Sequence, residues 1–251
     1  MNDHIVIITG AAAVPPHIAA LIPDEAILFA VDGGLDHALS ADLKPTVLIG
    51  DLDSVSENGL AWAARNATIE RHPTDKDQTD TELALAYAAD MDPSRVTLIG
   101  GGDRLDHTIA GIGALGAPAL TSIPTLDAWW DAQHLRVLHG PGKASLQLVP
   151  GSTISLLALH GSCTNVSVTG TRWELDGVDL DPVVGLGISN EGPAGDGDVE
   201  VSLSGGILTV FDQPIVVGAK PSTAQDVTDK KGVSKKKKSR PKQTGKKADK
   251  A

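Results

Sequence analysis

In "VLIGDLDS", residues 47–54, Asp51 and Asp53 stand two positions apart directly after a run that reads as a buried strand. The same ending recurs. "FAVDGG" puts Asp32 after a strand-like run, and "TLIGGGDRLDH" puts Asp103 and Asp106 after another. A further segment, "HPTDKDQTDTELALA" at residues 72–86, supplies Asp75, Lys76, Asp77 and Asp80 just before a helical pattern. Taken singly, each Asp reads as a turn residue or helix cap, Lys76 as a solvated loop charge, and "GGGD" as a turn. Taken together, crowded carboxylates raise one another's pKa, so a cluster this dense calls for a cation. Oxygen-only donors favour Mg²⁺ or Ca²⁺ over zinc, and Mg²⁺ usually completes its shell with water and substrate phosphates. That chemistry is phosphoryl or diphosphoryl transfer.

Such residues converge only if the strands that carry them are parallel and end on one edge, where an open α/β sheet binds its ligands. "HIVIITG", "AILFAVDGG", "TVLIGDLDS" and "RVTLIGGGD" read as those strands. Ala- and Leu-rich segments at 35–41, 57–66, 80–90 and 105–116 read as the crossover helices. Thr79 and Glu82 fit a capping box, which places Asp77 and Asp80 at or beside a helix N-terminus. The expected architecture is a doubly wound, mostly parallel α/β domain over residues 1–132. From His134 the pattern changes to short strands such as "LRVLHG", "TISLLAL" and "VEVSLSGGILTVF", separated by Gly, Pro and Asp turns. That predicts a small all-β sandwich over 133–216. Residues 217–251, with "KKKK" at 235–238 and no aromatic residue, read as a disordered Lys-rich tail.

The formal net charge of −11 divides unevenly. From Lys220 to Ala251 there are 12 Lys and Arg against three Asp, a net of +9, which leaves −20 on the rest. A body this acidic repels phosphate backbones, so binding to nucleic acid or another anionic partner would belong to the tail. The single cysteine, Cys163, excludes an internal disulfide, and "MNDHIVIITG" lacks the flanks of a signal peptide. A cytoplasmic location is expected. No apolar run reaches the roughly 18 residues a spanning helix needs, so no membrane association is expected.

In this order, "VDGG", "GDLDS", "PTDKDQTDTELAL" and "GGGDRLDH" resemble the catalytic domain of the thiamine diphosphokinase (thiamine pyrophosphokinase) family. "TRWELDG" and "GISNE" resemble its β-sandwich thiamine-binding domain. The resemblance runs over roughly residues 25–211 and implies transfer of a diphosphate from ATP to the hydroxyethyl group of thiamine, with Mg²⁺ required. Carried over by position, Asp51, Asp53 and Asp80 would be metal ligands, and Asp32, Asp53, Asp80 and Lys76 the catalytic group. Asp77, Gly101, Gly102, Arg104 and Asp106 would bind or orient ATP and its metal. Ser189 and Asn190 would help hold thiamine, with Trp173 stacking on one of its rings. The resemblance also implies a homodimer whose subunits share each active site.

Two departures stand out. Family members commonly carry an asparagine a few residues after "RxDH", where this chain has Gly111, and the segment before "SNE" is the glycine-rich "DPVVGLG". His107 reads as a capping or packing residue, and Trp129 and Trp130 as packing at the domain junction. Two other functions fit the same residues. One is a sister diphosphokinase acting on another heterocyclic alcohol, such as a hydroxymethyl pterin. The other is a non-catalytic nucleotide-sensing dimer with a nucleic-acid-binding tail.

Overall fold

The computed structural model describes residues 3–102, 104–182, 184–195 and 197–215. The expected tail at 217–251 and Asp103 lie outside them. The first part of the chain runs β1 (His4–Ile8), α1 (Pro16–Ala19), β2 (Ile27–Val31), α2 (Gly34–Ser40), β3 (Val47–Gly50) and α3 (Glu57–Asn66). It continues through β4 (Thr68–Arg71), α4 (Asp80–Ala89), β5 (Arg95–Gly100), α5 (Leu105–Ala114) and β6 (Thr125–Trp130). The β-branched runs become strands because stiff side chains suit the pleat, and these are apolar on both faces because both faces are covered. Ile5 and Ile7 of β1 pack with Ala84, Leu85 and Ala88 of α4, while Val6 and Ile8 meet Ile18 of α1 and Ala38 of α2.

Side by side, these strands lie in the order β6, β5, β1, β2, β3, β4, all parallel. The chain builds outward from β1 to β4, then returns to the far side of β1 with β5. The carboxyl ends of β1 and β5 therefore flank a topological switch point, where open α/β sheets leave a crevice.

The second part contains β7 (Gln133–His139), β8 (Gly142–Gln147), β9 (Thr153–Leu157), β10 (Cys163–Thr169) and β11 (Leu175–Leu180). It ends with β12 (Asn190–Glu191), β13 (Asp198–Leu203) and β14 (Ile207–Asp212). Strands β8, β10, β11 and β13 form a four-stranded antiparallel sheet. Its Leu146, Val166, Val168, Val199 and Val201 pack on Ile154, Leu156, Leu208 and Val210. These partners do not belong to a separate sandwich sheet. They lie on β9 and β14, which with β7 and β12 extend the parallel sheet to ten strands.

The chain thus runs from an α/β part into a β part, as expected, and one layer of the β part is the antiparallel end of the α/β sheet. The cause is local. β6 and β7 form a hairpin in which Trp130 pairs with Gln133, and Asp131 turns the chain at φ 52, a left-handed conformation that Asp tolerates. Hydrogen bonding therefore passes straight through the expected boundary at residue 132. Sequence reading also missed α1, β4, β6, β11 and β12. β4 is an edge strand with mostly exposed side chains and no apolar run to announce it.

Candidate active site

At the switch point lies a cavity of about 640 Å³, bordered by Thr9 and Gly10 after β1, Asp32 after β2, Asp80 opening α4, Gly101, Gly102 and Arg104 between β5 and α5, and Asp106 in the first turn of α5. Asp32 sits at φ 46, and its Oδ1 accepts a 3.0 Å hydrogen bond from the Leu52 N–H. Gly50 makes this possible. At φ 144 it has the freedom of a residue without Cβ, and a Cβ there would stand 1.8 Å from Asp32 Oδ1. Burial, joined by the charges of Asp80, Asp51 and Asp53, pushes Asp32 up to about 6. The charges of the other three carboxylates thus reach Asp32.

Asp51 is held below the usual carboxylate range, chiefly by the Asp53 N–H that it accepts at 3.1 Å, with Thr74 and Lys76 adding to the effect. Asp53 itself is exposed. The capping box is formed: Thr79 Oγ1 accepts from the Glu82 N–H, and Glu82 accepts from the Thr79 N–H at 2.8 Å. This fixes the first turn of α4, from which Asp80 faces the cavity. Lys76 is tied to the same turn, with Nζ 3.1 Å from Asp80 Oδ1 and donating to the Pro73 carbonyl at 2.9 Å. Asp77 lies on the exposed loop and does not border the cavity. Arg104 donates to both oxygens of Asp106, and these bonds lower the Asp106 pKa to about 2.

The site also holds residues that sequence reading passed over. Thr9 and Gly10 follow β1, so the rule applied to the acids, that strand ends line the crevice, would have found them. Trp130 borders the cavity too, and does not simply pack at a junction. Its ring lies against Gly100 and Gly111, where a Cβ on either glycine would come within 2.5 Å of it, and its Nε1 donates to Thr108 Oγ1 at 3.1 Å. Gly111 is the position of the expected asparagine; the indole occupies the space a side chain would need.

The structure does not bring Trp173, Ser189 and Asn190 into this cavity. They form a separate cluster. Trp173 is 54% exposed, with the Arg172 guanidinium 4.6 Å from its ring centroid. Asn190 is buried, and its amide is fully used: Nδ2 donates to the Trp173 carbonyl and Thr171 Oγ1, while Oδ1 accepts from the N–H groups of Trp173 and Glu191. Asn190 thereby sets the loop that presents Trp173. Ser189, at φ 60, donates its N–H to Ser155 Oγ at 3.0 Å.

Among the described residues no three His, Cys, Asp or Glu side chains are gathered tightly enough to cage a metal on their own. The cleft nevertheless fits a hard divalent cation. Its anionic groups are all carboxylates, the neighbouring charges that add to burial in raising Asp32 are what a cation would relieve, and such ions often take only one or two protein carboxylates.

An open α/β sheet with carboxylates, glycines and an arginine at its switch point, continued into a β layer, has the build of a phosphate-handling transferase. Comparison with known proteins narrows this class. Residues 18–125 match the family described as thiamin pyrophosphokinase, catalytic domain, and residues 143–208 match thiamin pyrophosphokinase, vitamin B1 binding domain. Together these span more than two thirds of the chain. The chain belongs to the thiamin pyrophosphokinase family, enzymes that make thiamine diphosphate from thiamine.

It is 26% identical over 179 residues to thiamine pyrophosphokinase of Bacillus subtilis, covering 70% of this chain and 83% of that one. The crystal structure of the Bacillus subtilis protein superposes with a TM-score of 0.72 at 24% identity, covering 85% of this chain and all of that one. Thiamin pyrophosphokinase from Candida albicans gives a TM-score of 0.66 at 14% identity, over 84% and 89% of the two chains. At such identities the two superpositions show the fold. Membership makes the chain an enzyme, which sets aside the reading as a non-catalytic sensor.

Proposed function

We propose that the enzyme transfers the terminal diphosphate of ATP to the hydroxyethyl oxygen of thiamine, releasing AMP, with Mg²⁺ held by Asp51, Asp53 and Asp80. The observation that carries this reading is a switch-point cavity bordered by Asp32, Asp80, Gly101, Gly102 and Arg104, with Asp51 and Asp53 outside its lining but close enough for their charges to act on Asp32. In the reaction the thiamine oxygen forms a bond to the β-phosphorus of ATP. The bond from that phosphorus to the α-phosphate oxygen breaks, and the hydroxyl proton leaves. Positioning and charge neutralisation dominate such transfers. Arg104, clamped by Asp106, and Lys76, tied to Asp80, face the charge that grows on the departing AMP. The Gly101–Gly102 backbone lets phosphate approach closely, and Asp77 orients ATP from the loop. Asp32, held by the Leu52 N–H, takes the hydroxyl proton. Mg²⁺, when bound, would neutralise phosphate charge and bring donor and acceptor together.

Residues 1–132 then serve ATP and residues 133–216 serve thiamine, with Trp173 over the cationic ring, Asn190 setting its loop and Ser189 beside it. Trp173 and the cavity are separate features of one chain, which supports a homodimer with shared active sites. Exposed Leu105 and Ile109 on α5, whose Asp106 and Ala110 border the cavity, and exposed Val184, Leu186 and Ile188 in the segment that leads to Ser189 and Asn190 supply apolar surface for such contacts. A cytoplasmic enzyme fits the absence, among the described residues, of any helix long and apolar enough to cross a membrane. The Lys-rich tail is an accessory that attaches to nucleic acid or another anionic partner.

The test is an assay of the purified chain with thiamine, ATP and Mg²⁺, following AMP and thiamine diphosphate together, with a hydroxymethyl pterin in parallel. Equimolar products from thiamine alone, abolished by EDTA, are expected. Asp53→Asn is expected to lower kcat by roughly 100-fold or more with the melting temperature unchanged. Product from the pterin alone would transfer the proposal to the sister reaction. Asp53→Asn activity within a few-fold of the parent would remove Asp53 from the metal site.

A further inference from the structure

A second cavity, of about 300 Å³, lies over β1, β5, β6 and β7 on the sheet face that carries α1. Neighbouring residues of β6 divide between the two cavities: Trp130 borders the first and Trp129 the second. The floor of the second is a cross-strand ladder of charge. Thr97 lies opposite Asp127, Asp127 opposite Arg136, and His134 opposite Asp212. Asp127 and Asp212 have side chains with no exposed surface, and all four of their oxygens are occupied. Asp127 accepts from Arg95 Nη2 and Thr97 Oγ1, each at 2.5 Å. Asp212 accepts from Arg136 Nε at 3.1 Å and pairs with His134 Nδ1.

Every carboxylate oxygen therefore has a partner, while most of the guanidinium N–H groups do not. A guanidinium carries five N–H donors. In these pairs each arginine contacts its carboxylate through a single nitrogen, and Arg95 Nε is buried without a hydrogen-bond partner. His4 adds no charge. Thr97 Oγ1 gives its proton to Asp127 and so accepts from His4 Nε2, while burial and Arg95 lower the His4 pKa. Burying two carboxylates to hold two arginines is a poor route to stability, since an apolar ladder of similar volume does as well or better. It is a good route to fixing guanidiniums in place. Ile18, Ile22 and Trp129 supply an apolar wall, and the volume suits one small organic molecule.

We propose that this cavity is a second ligand site, distinct from the catalytic cleft, which takes a small phosphate-bearing molecule with a flat apolar part, its oxyanion held by Arg95 and Arg136. Paired guanidinium forks are matched to phosphate oxygens in geometry as well as charge. The site does not depend on the proposed reaction.

The test is calorimetric titration of the full chain with phenyl phosphate, with EDTA present so that no cation recruits phosphate to the cleft. Benzyl alcohol serves as the uncharged probe. Expected results are one binding event for phenyl phosphate, none for benzyl alcohol, and at least a tenfold weaker Kd in Arg95→Gln and Arg136→Gln. Because each of these variants leaves a buried carboxylate short of a partner, Ile22→Trp is the second arm: it fills the cavity, leaves the ladder intact, and is expected to abolish binding at an unchanged melting temperature. Arg104→Gln, in the cleft, is expected to bind as the parent does. Absence of binding to the parent overturns the proposal. So does binding that survives Ile22→Trp and both arginine variants, or that is lost in Arg104→Gln.

Discussion

At Gly111 there is no room for a side chain, because the benzo edge of Trp130 already lies where a Cβ would go, 2.5 Å away. Gly111→Asn is expected to destabilise the fold by about 1–3 kcal/mol, as overpacking does, and to push Trp130 into the cleft. A thermal melt reads the first effect and KM for ATP the second. In a Trp130→Ala background, itself destabilised, Gly111→Asn should cost little further, and an undiminished cost there would mean that the clash is elsewhere. Asp32 offers a test of sign. Its carboxyl titrates at about 6 in the folded protein against 3.8 as its ordinary value, so the folded state holds this proton more tightly. Stability tied to that proton is full below pH 4 and is lost as the pH rises through 6. Without metal, Asp32→Asn is therefore expected to gain about 1 kcal/mol at pH 8 after allowance for solvent screening, and nothing at pH 4, while losing activity. Equilibrium urea unfolding at the two pH values decides it. The acids themselves were legible because Asp after an apolar run is visible in any sequence. Trp130 was not, since what gives it a role is the space left by Gly100 on β5 and Gly111 on α5, which no local pattern around Trp130 announces.

The first turn of α4 does the most positioning per residue. Its capping box was readable from Thr79 and Glu82 alone because capping depends only on local spacing, and the same turn carries Asp80 and tethers Lys76. Thr79→Ala removes a cap typically worth about 1 kcal/mol. The melting temperature should fall accordingly, and kcat should fall with it, since Asp80 loses its fixed geometry. A drop in melting temperature with unchanged kcat would separate the helix start from the chemistry. Long apolar strands and the four main helices were legible from periodicity. β4 and β6 were not. The first is exposed at an edge, and the second has Asp127 within an otherwise apolar run, a charge that makes sense only opposite Arg136 and Thr97 on neighbouring strands.

For the whole molecule, the apolar residues exposed on α5 carry the association prediction. Leu105→Glu places a charge on a side chain that is 70% exposed, so the monomer fold should be unaffected. Sedimentation should shift from dimer to monomer, with activity falling in parallel. A parent that sediments as a monomer and is fully active would remove the partner from the site. What no local pattern could reveal is that the ten-stranded sheet has no seam. The two family matches leave residues 126–142 between them, and that interval holds most of the β6–β7 hairpin through which the sheet is continuous. The chain therefore cannot be treated as two interchangeable cassettes. Expressing residues 1–132 alone would leave β6 with an unpaired edge, a template for aggregation, and grafting residues 133–216 onto another carrier would strip β7 of its neighbour. Any exchange of acceptor specificity, in the laboratory or over evolution, has to occur in loops around an unbroken frame.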